Sequence, residues 1–410
     1  MMDQSLVDYF DSLDSIDSMD LSESALMQNY GKPSLCLVRG NGAWVYDSDG
    51  KAYLDFLAGI AVASLGHAHP KIAAAIALQA DKLIHVSNIF ANEVGPKVAA
   101  MLNRLILMGY PEESNGRLFF SNSGAEANEA AIKLARKYGL ESKRHHIIAT
   151  VGSFHGRTMG ALSATGQKSK QTSFEPLLPG FTHVEWDDVS AIEAAITDET
   201  VAVMLEPIQG ERGVVDPSPG YLEEVRKLCT SRGLLLIMDE VQTGLGRTGA
   251  WFGFQHHSIL PDIVTIAKAL GSGMPIGACW ARDSVARAFT AGDHGSTFGG
   301  QPLAASAALA TIREMIEIDA PNRAQELGER IVKNLDGNPE IQRISGSGLL
   351  LGLNLTRPVA KQVAEIALGK GLILNAIGDS VIRLAPPLIV SSSQVDSACD
   401  LISAALGEAQ

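Results

Sequence analysis

The sequence predicts an α/β chain in which a large domain built on a mostly parallel central sheet carries a smaller α+β domain, and three observations predict it. Five apolar runs of strand length alternate with helix-like stretches: RLFFSN from Arg117, HHIIATV from His145, VAVMLEP from Val201, LLLIMDE from Leu234 and DIVTIAK from Asp262. Such alternation implies parallel strands joined by crossover helices. The 410 residues exceed the roughly 250 to 300 that one hydrophobic core serves, so a second domain is expected. A composition of 46% hydrophobic and 19% charged residues with 40 glycines is that of a globular enzyme rather than a fibrous or low-complexity chain.

Along the chain, residues 1–28 form an acidic leader. From Asp11 the string DSLDSIDSMDL repeats a three-residue unit that would align Leu13, Ile16 and Met19 on one side of a short helix. So acidic and Ser-rich a stretch buries little apolar surface, and a mobile solvated tail is the expectation. Residues 29–70 are assigned to the small domain, because GAWVYDSDGKAYLDF from Gly42 alternates apolar and polar positions around an Asp-Gly turn and reads as a β-hairpin. Helical periodicity then covers Lys71 to Lys82 and Glu93 to Met108, opening a large domain over 71–300. From Gln301 an Ala-rich helical region gives way to SGSGLLLGLNL and VIRLAPPL, read as a C-terminal α+β domain over 301–410.

A net charge of −13 leaves no basic footprint for nucleic acid or anionic lipid, so the expected ligand is small. Cys36, Cys229, Cys279 and Cys399 lie far apart without CxxC spacing, which argues against zinc and disulfides and for a reducing cytoplasm. No apolar run reaches the roughly 18 residues of a membrane span, and the acidic N-terminus has neither a secretory nor a transit pattern. His67 and His69 of GHAHP have no evident third metal ligand and read as turn residues; no metal is expected.

The carboxyl ends of the strands are where an open α/β sheet binds its ligand. At the first, Ser123 and Glu126 make a capping box opening a helix whose free amides suit a phosphate, with Gly124 allowing close approach; alone, this is also an ordinary helix start. GSFHGRT offers Phe154 to stack on a flat ring and Arg157 to grip a carboxylate, and alone it is equally a surface loop. Asp239 ends an apolar strand, ahead of Glu240 and Gln242. There it can either cap a helix or hold a protonated ring nitrogen, keeping that ring an electron sink. Lys268 ends another such strand before a Gly-Ser-Gly turn, where desolvation would free its amine for bonding to a carbonyl and for proton transfer. The coincidence of all four groups at strand ends carries more weight than any one of them.

Together, SNSGAEANEAA, FHGRTMGALSATG, EPIQGERGV, MDEVQTGLGRTG, IAKALGSGMPIG and HGSTFGGQPLA resemble the class III aminotransferases, which have the type I pyridoxal-phosphate transferase fold. The likeness covers nearly the whole chain from about Asn29. It implies pyridoxal 5'-phosphate as cofactor, Lys268 as the Schiff-base lysine, and Asp239 on the pyridine nitrogen. It further implies Gln242 by the phenolic oxygen, Phe154 on the ring, and Ser123, Gly124 and Ala125 at the phosphate. Glu240 and Val241 would be further cofactor contacts. Thr297 would reach the phosphate of the partner subunit in a homodimer whose active sites lie at the interface. Substrate would meet Arg157 and Ser296, and Arg383 would take the α-carboxylate of glutamate, with Glu206 neutralising Arg383 when the other substrate is bound.

Within the family the likeness is strongest to members acting on N-acetylornithine with 2-oxoglutarate as acceptor, in arginine biosynthesis. Ile60 stands where ornithine-specific members have tyrosine, which favours an acylated amine. Succinyldiaminopimelate, succinylornithine, ornithine and 4-aminobutyrate remain alternatives, and an aminomutase or decarboxylase is a more distant one.

Overall fold

The computed structural model describes residues 12–13, 16–110 and 115–410. Most of the start of the leader lies outside them. Where a tail is expected, Ser18–Ala25 is helical, with Asp17 accepting the Met19 amide at 2.8 Å, and it buries no residue.

Strands β1 (Leu37–Asn41), β2 (Trp44–Asp47) and β3 (Ala52–Asp55) follow. Across the expected hairpin Trp44 pairs with Leu54. Next come β4 (Gly116–Ser121), β5 (His146–Thr150), β6 (Phe181–Val184), β7 (Thr200–Leu205), β8 (Leu235–Asp239), β9 (Ile263–Ile266) and β10 (Gly277–Arg282). The C-terminal strands are β11 (Ile341–Ser347), β12 (Leu350–Leu355), β13 (Leu372–Ile373), β14 (Asn375–Ile377) and β15 (Val381–Leu384).

The central sheet has the order β4-β10-β9-β8-β7-β5-β6. Strands β5 to β9 pair in parallel, while β10 runs antiparallel to both β9 and β4. Two of its strands, β6 and β10, are not marked by the apolar runs. In β10 Trp280 is the largest buried side chain, donating to Asn103 at 2.9 Å and crowding Gly116, where a side chain would not fit. Every residue of β7, β8 and β9 is buried, as sheet strands covered on both faces must be.

Two four-stranded sheets complete the fold. The order β1-β2-β3-β13 joins the N-terminal hairpin to the C-terminal region through parallel pairing of Leu54 with Leu372, and β11-β12-β15-β14 forms the other. The second of these places Arg383, on β15, opposite Asn375 and Gly352. The helix Gly124–Tyr138 starts directly beyond β4, so its N-terminus, the end of β8 and the segment after β9 meet on one side of the sheet.

Candidate active site

These three chain ends enclose a cavity of about 400 Å³. Asp239, the last residue of β8, is buried in its wall with both oxygens engaged. Oδ2 accepts from Asn128 Nδ2 and pairs with His155 Nδ1, each at 2.8 Å, and Oδ1 accepts from the Val241 amide at 3.0 Å. Asn128 also donates to the His155 carbonyl at 2.7 Å. Asn128 and His155 therefore set the orientation of the carboxylate, a role the sequence does not signal because they lie 111 and 84 residues away from Asp239.

Lys268 lies two residues beyond the end of β9, at φ 43°, a conformation that is strained for a side-chain-bearing residue. Burial lowers its ammonium pKa; Glu211, Asp239 and Glu206 act against that and Arg383 with it. With its amide oxygen turned inward, Gln242 accepts from Lys268 Nζ at 3.0 Å and from Arg383 Nη1 at 3.3 Å. This requires Gly210, since a Cβ there would overlap the Gln242 side chain.

Ser123 caps the helix through its hydroxyl, which accepts the Glu126 amide at 3.2 Å. The expected capping box is altered: Glu126 Oε2 takes the amide and side chain of Asn122, both at 2.8 Å, rather than the amide of Ser123. Gly124 and Ala125 line the cavity at the helix N-terminus, and Val241 packs against Gly124. Phe154 lines the wall as well, its amide donating to Glu206 Oε2 at 3.0 Å. The Arg157 guanidinium carbon is 5.7 Å from the Phe154 ring centre.

Two expectations are corrected. Glu206 does not face Arg383. Burial, with the nearby Asp239 adding to it, drives the Glu206 carboxyl well above the usual range, and its Oε2 accepts from the Phe154 amide. The carboxylate on Arg383 is Glu211, Oε1 to Nη1 at 2.5 Å. Burial opposes its ionisation, but Arg383, Lys268 and Lys170 hold its pKa below the ordinary value. Both acids lie in EPIQGERGV, and only the three-dimensional path of that segment decides which one meets Arg383. Glu240, expected at the cofactor, turns away: it accepts from the amides of Gly253 and Phe254 and the hydroxyl of Thr243, and burial raises its pKa to about 7. Ser296 and Thr297 lie outside the cavity of this chain, although Ser296 Oγ accepts from Asn122 at 3.1 Å.

The segment carrying Ile60 holds a feature the sequence hides. Ala58, Gly59, Ile60 and Ala61 all have φ between 50° and 64°, a left-handed turn anchored by Asp55 Oδ1 on the amides of Leu57 and Ala58. Strain of this kind concentrates at functional sites, and Val62, directly after the turn, lines the cavity.

The cavity fits pyridoxal 5'-phosphate on its own chemistry. A helix N-terminus receives anions, the buried Asp239 carboxylate suits a ring cation, and a desolvated amine stands beside it. Fold and site together define a pyridoxal-phosphate-dependent transferase of fold type I. The profile of the aminotransferase class-III family matches residues 26–406, and the chain belongs to that family.

The acetylornithine aminotransferase of Mycobacterium tuberculosis H37Rv is 48% identical over 94% of this chain and 95% of its own. Among solved structures, the ornithine aminotransferase of Toxoplasma gondii ME49 superposes with a TM-score of 0.89 at 33% identity, covering 97% of each chain. The N-acetylornithine aminotransferase of Stenotrophomonas maltophilia K279a does so with a TM-score of 0.80 at 34% identity, covering 95% of this chain and 98% of that one. The chain is thus a transaminase that uses pyridoxal phosphate. Among the described residues no helix is long and apolar enough to cross a membrane, and no cluster of metal-binding side chains occurs.

Proposed function

We propose that this enzyme moves the terminal amino group of N-acetylornithine to 2-oxoglutarate, giving N-acetylglutamate semialdehyde and glutamate, in cytoplasmic arginine biosynthesis. Relatives bearing the acetylornithine name, at 44% identity or more over nearly all of the chain, support the substrate. The observation that carries the reading is the ion pair of Glu211 with Arg383 beside a cavity that also holds Arg157.

When bound, the cofactor supplies an electron sink for the charge left on the substrate carbon. Lys268 supplies the base: its desolvated amine would take a proton from the substrate carbon and deliver it across the substrate nitrogen, two atoms away, with Nζ held by the Gln242 amide. Asp239, oriented by Asn128 and His155, faces the ring nitrogen. The amides of Gly124 and Ala125, with Ser123 and Val241 beside them, receive the phosphate, and Phe154 supports the ring. Arg157 holds the carboxylate remote from the reacting amine. Arg383 takes the α-carboxylate of glutamate. With acetylornithine, which brings only one carboxylate, Glu211 keeps Arg383 neutralised. Ile60 adds an apolar surface suited to the acetyl group.

The active sites belong to a homodimer in this reading, with Thr297 and Ser296 completing the partner's pocket. Their loop is tied by Asn88 to a segment presenting Ile89 and Phe90, which are 85% and 66% exposed beside Phe298 at 64%. Contiguous exposed apolar side chains of this size mark an association surface. A single-chain mass by light scattering at working concentration would contradict it. The domain division at residues 71 and 301 is part of the same reading.

Two measurements test the pocket. A panel of N-acetylornithine, N-succinylornithine, ornithine, succinyldiaminopimelate and 4-aminobutyrate against 2-oxoglutarate is expected to give N-acetylornithine the highest kcat/KM; a higher value for 4-aminobutyrate would refute the assignment. Glu211→Gln is expected to slow the acetylornithine half-reaction about tenfold, the equivalent of roughly 1.4 kcal/mol, while sparing the glutamate half-reaction. Glu206→Gln, which preserves the acceptor for the Phe154 amide, should not separate the two. Equal losses in both halves for Glu211→Gln would remove the switch.

A further inference from the structure

A carboxylate displaced from Arg383 needs somewhere to go. Arg383 is 1% exposed and its donors are already committed: Nε and Nη2 to Asn375 Oδ1 at 3.1 and 2.7 Å, and Nη1 to Glu211, to the Gly210 carbonyl at 3.3 Å and to the Gln242 side chain. A substrate carboxylate arriving there must take the place of Glu211, the one anionic partner. Glu211 then leaves as a charge in a site where only a quarter of its side chain is exposed, and a partly buried charge without a counterion is costly.

Three other cations bear on this part of the pocket. Lys268 is committed to the cofactor. Arg157 is committed to the remote carboxylate of the same dicarboxylate substrate. Lys170 has no such duty. It sits on the one-turn helix Lys168–Gln171, with Nζ 5.3 Å from the centre of the Phe154 ring that lines the cavity. Its hydrogen bond goes to the neutral side-chain oxygen of Gln167, and among the described residues it makes no salt bridge. Burial lowers its ammonium pKa, and Glu211 is the strongest influence opposing that shift, ahead of Glu206.

We propose that Lys170 is the second station of the Glu211 carboxylate, receiving it whenever Arg383 binds the α-carboxylate of a dicarboxylate substrate. Glu211 then alternates between two cations, Arg383 in the acylornithine half-reaction and Lys170 in the glutamate half-reaction, and the pocket keeps its charge balance in both. Lys170 acts through Glu211 and is a positioning residue. This rests on the reading of Glu211 as the group that vacates Arg383.

The experiment is a double-mutant cycle on the cofactor-loaded enzyme. Its readouts are the calorimetric Kd of glutarate, a dicarboxylate without an amine, and KM and kcat of each half-reaction in single turnover. Lys170→Met is expected to weaken glutarate and raise the KM for glutamate about tenfold, within the range of coupling between neighbouring charges. It should leave kcat and the acetylornithine half-reaction within about twofold, and Lys170→Arg should restore glutarate affinity.

In a Glu211→Gln background, where no charge has to be rehoused, Lys170→Met should change nothing. An equal loss in both backgrounds would mean that Lys170 touches the dicarboxylate directly, and would overturn the proposal. So would a Lys170→Met enzyme with unchanged glutarate affinity, or one whose two half-reactions fall together. If Glu211→Gln alone fails to separate the half-reactions, it is the Glu211 switch that fails; if it separates them and Lys170→Met has no effect, only the second station fails.

Discussion

Lys268→Ala is expected to abolish turnover, with a loss on the order of 10⁴-fold or more in kcat, because one amine serves as both the covalent anchor and the mobile base. Substitution of the base alone removes about 10² to 10⁴ of rate acceleration, and loss of the anchor adds to it. The chemistry needs a free amine at neutral pH, and an exposed lysine would supply almost none. Here burial shifts Lys268 in the required direction, and the Gln242 amide holds Nζ in place. The decisive measurement does not depend on activity. Borohydride reduction of the loaded enzyme followed by peptide mapping should place the adduct on Lys268 of the wild type and nowhere on the variant. An adduct on any other residue would overturn the assignment.

Asp239→Asn is expected to lower kcat by about 10² to 10³, the range for removing one preorganised electrostatic partner of the developing charge. The change does more than remove a charge. Asn128 and Val241 each donate an N–H to this carboxylate, and His155 Nδ1 lies at 2.8 Å from it as a third donor in the tautomer the carboxylate favours. An asparagine has one acceptor oxygen, so its NH₂ must face at least one of these donors. The apo-protein should therefore also lose thermal stability, whereas His155→Asn should lower kcat more modestly by loosening the carboxylate. A near-normal kcat in Asp239→Asn would mean that the ring nitrogen is held elsewhere. A fall in melting temperature with no change in rate would reduce Asp239 to a structural role.

Much of this site can be read from the chain alone, since Asp239 follows an unbroken apolar run, Lys268 follows one interrupted only by Thr265, and Ser123 to Ala125 follow a third. A parallel strand buried on both faces is nearly all apolar, so the charged residue that follows it is conspicuous. No such mark attaches to Asn128 or His155, whose importance lies in what they touch. Nor does periodicity reveal β10, which runs against its neighbours.

The order of apolar runs determined the α/β class, and the residues at their ends determined the cofactor chemistry, because strand periodicity and strand termini are local properties. Tertiary structure alone decided that Glu211 and not Glu206 pairs with Arg383, that Glu240 turns into the protein, and that the Ile60 segment winds left-handed. The first depends on how segments 172 residues apart approach one another; the other two are set over shorter spans, by the Gly253 and Phe254 amides that Glu240 accepts and by the Asp55 carboxylate that anchors the turn, contacts that strand and helix periodicity does not show. The charge of a buried carboxyl is set by that surrounding, and a linear string does not contain it.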